Sequence, residues 1–451
     1  MKKEMEFDNK SLSRRDFVKA STITAGGLML STLPLGASAY AGGNDTLKVA
    51  LIGCGNRGTG ATFQTLNADE GVQLVAMADI LEDRMEESYN GLVQRYGGSD
   101  KLNVPEEHKF IGFDGYKQAI ALADVVLLTT PTFFRPLHFE EAVRQGKHIF
   151  MEKPVAVDAA GVRRVLEAAK TAKEKDLNIV VGLQRRYETR YRELYRRIQN
   201  GEIGEIISGQ VYWNQGPFYY VPRQPQWSEL EHQIRNHFHF IWQAGDQVLD
   251  QMIHNIDVAN WFLGEYPISA QGMGGREVRT GSEYGQIFDH NFVEFRYPSG
   301  AVISAQCRQI PGCYNRVAED FNGSEGFAST GSPNPFALLD RQKNVKFVYE
   351  SDNDKSPYQI EHDELYQAIR SGDTINNADY GTKSTMSSIM GFMATYSGQF
   401  LEWDKALASE KRMYPDHNLR PEDVNWDTPA PVQPDENGNY PIPVPGVTEV
   451  I

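Results

Sequence analysis

Residues 47–52, Leu47-Lys48-Val49-Ala50-Leu51-Ile52, form an apolar run of strand length, followed by a glycine-rich turn and a helix-compatible stretch over 59–66. The alternation then repeats. Apolar runs at 72–78, 125–129, 148–151 and 178–182 alternate with amphipathic stretches such as 137–145 and 159–175. Continuous apolar strands separated by helices predict a parallel, doubly wound α/β sheet. After Gly182 the pattern turns to extended runs at 206–213, 288–297 and 301–309, the last two joined by Pro298-Ser299-Gly300 as a hairpin turn. One helical period stands out between them, over 245–263. Val248, Met252, Ile256, Ala259 and Leu263 share one face, and Asp250, His254, Asp257 and Trp261 the other. This predicts a helix packed on a sheet, with its polar row toward either a cleft or solvent. After Glu402, Pro, Asp and Asn become frequent, which predicts an extended arm over 403–451 that wraps its own domain or a neighbouring subunit.

The first residues read differently. Ser13-Arg14-Arg15-Asp16-Phe17-Val18-Lys19 precedes a mildly apolar stretch, 20–35, and then Ala37-Ser38-Ala39. That order of regions is similar to a twin-arginine export signal over 1–39, cut after Ala39. It implies a soluble mature protein exported to the periplasm or beyond, folded before transport and so able to carry a cofactor with it. No other apolar stretch approaches the roughly 20 residues that span a bilayer.

The chain has 451 residues, 40% of them hydrophobic, which suits a globular protein of two or three domains. Its 45 basic residues against 60 acidic ones, a net charge of −15, argue against nucleic acid or an anionic membrane as partner. The cysteines, Cys54, Cys307 and Cys313, form no CxxC pair and predict neither a disulfide framework nor a cysteine zinc site. His237 and His239 lack a carboxylate at fitting spacing, so no metal is expected.

The turn after the first strand is Gly53-Cys54-Gly55-Asn56-Arg57-Gly58. In such a turn the first glycine allows the bend, the second admits a pyrophosphate to the backbone, and the third lets helix and strand pack. Asp79 closes the second strand at the spacing where an acid binds the adenosine ribose hydroxyls, favouring NAD over NADP, although Arg84 is near; a helix cap is the other reading. Thr130-Pro131 and Glu152-Lys153-Pro154 follow later strands and so belong at the ligand-binding edge of the sheet.

Taken together, residues 49–58, Thr130-Pro131, Gly146-Lys147-His148, Glu152-Lys153-Pro154 and the run Asp250-Gln251-Met252-Ile253-His254-Asn255-Ile256-Asp257 resemble the Gfo/Idh/MocA oxidoreductase family, in family order over about 46–400. The resemblance implies an NAD-binding Rossmann domain over 46–182. A substrate-binding α+β domain over 183–402 would follow, with an open, largely antiparallel sheet and a last helix free to pack back on the first domain. It also implies a homo-oligomer, dimer or tetramer.

By the same resemblance Lys153, His254 and Asp250 are catalytic. Lys153 would hold the alcohol oxygen, and Asp250 would orient His254 or bind a neighbouring hydroxyl, with the formal base left open between Lys153 and His254. Gly53, Gly55, Asn56, Arg57, Gly58, Asp79, Thr130, Pro131, Glu152 and Lys153 would bind the dinucleotide. Many relatives carry a histidine segment after Thr-Pro; here the chain reads Thr132-Phe133-Phe134-Arg135-Pro136, and His138 is the nearby candidate. Arg185, Tyr187, Trp213, Arg235 and Asn236 join Asp250 and His254 as candidate substrate contacts, because aromatic faces and guanidinium groups suit sugars. The function implied is hydride transfer between tightly bound NAD and a secondary hydroxyl of a sugar, a glycoside (at C3, for example) or a cyclitol. Two other readings stay open. One is an NAD-dependent redox-neutral glycosidase, with Tyr187 or Tyr219 as an extra base; the other is a non-catalytic sugar-binding protein.

Overall fold

The computed structural model describes residues 46–331, 335–351, 353–412 and 419–451; the twin-arginine segment lies outside them. Six parallel strands, β1 (Leu47–Ile52), β2 (Val72–Asp79), β3 (Lys109–Ile111), β4 (Val125–Leu128), β5 (His148–Met151) and β6 (Ile179–Val181), form the first sheet in the order β3-β2-β1-β4-β5-β6. Helices between successive strands cover both faces, which is why β4, β5 and β6 are buried at every position. The strand order reverses between β1 and β4, and the crevice beyond their carboxyl ends is where such sheets bind ligands.

The second sheet has nine strands: β7 (Ile206–Asn214), β8 (Ser269–Gly275), β9 (His290–Arg296), β10 (Val302–Arg308), β11 (Arg316–Gly323), β12 (Gly326–Thr330), β13 (Phe336–Asp340), β14 (Val345–Val348) and β15 (Leu401–Glu402). Their order is β14-β13-β12-β11-β7-β10-β9-β8-β15. Only β7 and β10 pair in parallel; the hairpin β9–β10 turns at the expected residues. The sheet is therefore mixed and mostly antiparallel. Its inner face packs on helices, while Ile207, Met273, Phe292 and Val317 remain exposed.

The single helix expected over 245–263 is two helices, Gln247–Asp250 and Ile253–Leu263. Asp246 caps the first by accepting from Val248 N at 2.5 Å. The break falls at Gln251, whose side chain is engaged by Gln215 and Gln309. Nor is there one wet face and one dry one, because the second helix lies between the sheet and the helix Ala378–Ser397. Asp250 and His254 do reach a cleft. Asp257 does not: its buried carboxylate accepts from Arg186 at 2.8 and 2.9 Å and from Ser384 at 2.7 Å.

The helix Pro357–Ser371 returns to the first domain and packs on the helix Asn56–Ala68, with His362 against Thr65 and Arg370 paired to Asp69. Past Glu402 a short helix, Trp403–Ala408, comes before the extended arm. The arm packs on its own chain: Gln233 donates to Val432 O, Tyr440 to Glu229, and Trp426 meets Phe113 edge-on at 5.1 Å.

Under the nine-stranded sheet, Glu319 of β11 is fully buried and accepts from Arg185, Tyr191, Asn255 and Thr330. Removing it strands a buried guanidinium. Glu319→Ala should lower unfolding stability by about 3–5 kcal/mol in a denaturant titration; a loss under about 1 kcal/mol would show that the network contributes little.

Candidate active site

A cleft of about 540 Å³ runs from the glycine turn to the inner end of the helix pair. Gly53 has φ +96°, and a Cβ there would lie 2.7 Å from Thr130 N. A Cβ on Gly58 would lie 2.1 Å from Gly53 O. These two glycines are required by the fold itself. At Gly55 a Cβ would meet nothing within 4 Å, so the cradle is open there. Gly55 also occupies the N-cap of the helix Asn56–Ala68 with no side-chain cap, so first-turn N–H groups are left for an anion. At the end of β2, Asp79 lines the cleft and accepts from Cys54 N at 2.6 Å and Leu81 N at 2.9 Å. Leu81, not Asp79, holds the N-cap of the next helix, so Asp79 braces the turn instead of capping. Burial raises the pKa of its carboxyl, and the N–H bonds offset that rise only in part. An open glycine cradle, a bare helix N-terminus and a strand-end carboxylate fit a dinucleotide.

The ends of β4 and β5 are joined by Arg135, a residue to which the helical pattern attaches no chemical role. Its buried guanidinium donates to Thr130 O and Glu152 O, and burial lowers its pKa to about 10, so it remains a cation at neutral pH. Beside it, His138 lines the cleft, with Nδ1 3.1 Å from Thr130 Oγ1. Burial and then Arg135 press its pKa to about 3, so the ring is neutral. Glu152 pairs with Arg57 at 2.9 Å; Gly182 leaves room for it, because a Cβ there would come within 2.8 Å of Glu152 Oε2. Arg57 also lies over Tyr358, brought to the cleft by the returning helix. Asn56 and Pro131 line the same wall.

Lys153 extends from the end of β5 to the second domain. Its Nζ donates to Asp250 O and sits 3.7 Å from Asp250 Oδ1. Burial pushes the Asp250 carboxyl up, while Lys153 and Arg135 draw it down. His254 rests on the Trp213 ring, with centroids 5.7 Å apart, and its buried Nδ1 has no hydrogen-bond partner. It makes no hydrogen bond to Asp250, so Asp250 is Lys153's partner and does not orient the imidazole. Burial, followed by Lys153 and Arg185, holds His254 well below the ordinary imidazole value.

Trp213 lines the cleft, and Tyr219 stands at its exposed rim. Arg235 also lines it, but its guanidinium is held by Asp83 at 2.8 and 3.1 Å and by Glu231 at 2.8 Å, clasping the two domains together. Three candidate substrate contacts are not in the cleft wall. Arg185 is turned to Glu319. Tyr187 is buried against Asn377, and Asn236 is committed to Val221 and His232. Each is an interior polar group satisfied by another part of the protein, which composition could not separate from a sugar contact. Gln251, Phe113 and Tyr358 line the cleft without having been expected there. Gln251 lay inside the matched Asp-x-x-x-His run, but the other two come from loop and return segments with no local signal.

Residues 47–180 match the model of an oxidoreductase family with an NAD-binding Rossmann fold, and residues 191–328 match the GFO/IDH/MocA C-terminal domain. Inositol 2-dehydrogenase 3 of Saccharopolyspora erythraea is 28% identical over 264 residues, 58% of this chain and 66% of that protein. The chain thus spans just under two thirds of that relative. Myo-inositol 2-dehydrogenase of Thermotoga maritima is 25% identical over 362 residues, 78% of this chain and 96% of that one. Among solved structures, scyllo-inositol dehydrogenase from Lactobacillus casei with bound NAD(H) and scyllo-inositol has a TM-score of 0.61 at 17% identity, covering 80% of this chain and all of the other. That likeness concerns the fold.

Two outcomes follow from this geometry. Gly55→Ala should leave the melting temperature within error and weaken NAD binding at least about tenfold, whereas Gly58→Ala should destabilise the fold by about 1–3 kcal/mol; the reverse pattern would remove the cradle assignment. A histidine with a depressed pKa stays deprotonated as the pH falls. So kcat/KM should hold level down through about pH 6.5 and fall only below it; an acid limb at or above that value would contradict a neutral, buried His254.

Proposed function

The chain belongs to the GFO/IDH/MocA family of NAD-binding oxidoreductases, and from that premise we propose that it oxidises or reduces a secondary hydroxyl of a cyclitol, sugar or glycoside with NAD held in this cleft. The observation that carries the reading is the meeting of Lys153, Asp250 and His254 at one end of a cleft whose other end is the glycine turn. The inositol dehydrogenases among the relatives support a polyol substrate. Bound NAD supplies the acceptor, and reduced NAD the donor, of a hydride.

The protein's own groups handle the oxygen and its proton. Lys153 already donates to Asp250 O and has further N–H bonds to give to the carbinol oxygen, stabilising negative charge as it develops. His254, kept neutral, presents a ring nitrogen that can take the proton, whereas an ammonium would first have to lose one. Asp250 keeps the ammonium in place and lowers the cost of burying it. Asp79 would accept from the ribose hydroxyls and repel a 2′-phosphate, favouring NAD over NADP.

Two further parts of the reading rest on less local features. The residues around Arg14-Arg15 support export of the folded protein, and an exported enzyme is best served by NAD it retains. The exposed apolar residues on the outer face of the nine-stranded sheet, Met273 and Phe292 among them, support a homo-oligomer joined there. For the second reading, a glycosidase route that needs an extra base, Tyr187 is buried against Asn377, whereas Tyr219 stands at the cleft rim.

Lys153→Met should slow single-turnover hydride transfer at least about a hundredfold with NAD still bound. Near wild-type transfer in that variant would sink the proposed mechanism. Incubation with glucosides and inositols followed by mass analysis should show loss of two hydrogens; a released aglycone with no net oxidation would favour the glycosidase route instead.

A further inference from the structure

Gln251 lies between Asp250 and His254 in the chain, is buried and lines the cleft. An amide can in principle present either its oxygen or its nitrogen to a ligand, but here the choice is fixed from behind. Arg279 is buried, and its guanidinium can only donate; it donates to Gln309 Oε1. Gln309 must then donate through Nε2, and it does so to Gln251 Oε1 at 3.0 Å. Gln215 Nε2, just past the end of β7, donates to the same oxygen at 2.9 Å. With Oε1 taken twice, Gln251 has only its NH₂ to offer. That nitrogen has no protein partner and is not sealed from the cleft.

We propose that Gln251 determines substrate specificity: its Nε2 is a fixed hydrogen-bond donor for an acceptor oxygen at one carbon of the polyol other than the reacting one. This rests on the polyol reading above. A hydroxyl, ether or carbonyl oxygen at that carbon is accepted. Hydrogen there leaves the donor unpaired, and an ammonium sets donor against donor. Arg279, Gln309 and Gln215 are positioning residues that act through Gln251.

The test compares the NAD-loaded wild type with Gln251→Leu and Gln251→Glu on myo-inositol, methyl β-glucoside, and the mono-deoxy and mono-amino-deoxy forms of the glucoside. In the wild type, one deoxy form should lose at least about tenfold in kcat/KM against its parent, and the matching amino form should lose more. In Gln251→Leu the parent should fall to the level of the deoxy form, with bound NAD unchanged. Gln251→Glu can still accept from Gln215 and Gln309 while offering an acceptor to the cleft, so it should reverse the order in favour of the amino form. If the leucine variant fails to fold, the near-isosteric glutamate variant decides. A deoxy penalty of equal size in the wild type and the variants overturns the role of Gln251. Wild type that turns over none of these polyols overturns the polyol reading, and this inference with it.

Discussion

Lys153 carries its charge from the end of a strand in one domain into contact with Asp250 in the other, at a place where both side chains are mostly shielded from water. A cation so placed is costly unless it is paired and hydrogen-bonded. The contact therefore requires the two domains to meet at this point and in this relation. The surrounding pieces keep it so. Arg135 ties together the ends of β4 and β5, from which Thr130 and Lys153 project, and Arg235 clasps the second domain to Asp83 on the first. The returning helix Pro357–Ser371 adds Tyr358 behind Arg57. The same low dielectric that makes the pair costly also makes a cation effective against charge that develops on a substrate oxygen.

A second regularity is that several buried charged and polar groups beside the cleft are already matched. Arg185 has Glu319, Arg186 has Asp257, and Asn236 has the Val221 backbone. Such pairs hold the sheet, its helices and the cleft wall in register and have little left for a ligand. Within the cleft, capacity remains in the free N–H bonds of Lys153, the neutral ring of His254, the amide nitrogen of Gln251 and the bare first turn beyond Gly55.

The first domain was legible in the sequence because its signals are local. Strands buried on both faces read as unbroken apolar runs, and the glycine turn has a spacing set by sterics: at Gly53 and Gly58 no Cβ fits. Lys153, Asp250 and His254 were legible through motif resemblance, since no local rule brings residue 153 to residue 250. The helix over 245–263 was misread because one period was fitted through Gln251, where a tertiary contact interrupts it. Arg185, Tyr187 and Asn236 were expected at the substrate because their side chains suit sugars. Their partners, Glu319, Asn377 and the Val221 backbone, come from distant segments, and that pairing is invisible to composition. Arg135 and Gln251 went unassigned for the converse reason: their roles exist only once strand ends and loops are assembled.

The central claim is that one cleft brings a retained dinucleotide and a secondary carbinol together, with Lys153 and His254 at the carbinol oxygen. The most direct measurement uses methyl β-glucoside or myo-inositol deuterated at each carbinol carbon in turn, with mass analysis of the NAD released from the denatured protein. The account predicts that one labelled position transfers its deuterium to the dinucleotide. Deuterium lost to water from every position, with the dinucleotide unlabelled, would contradict it.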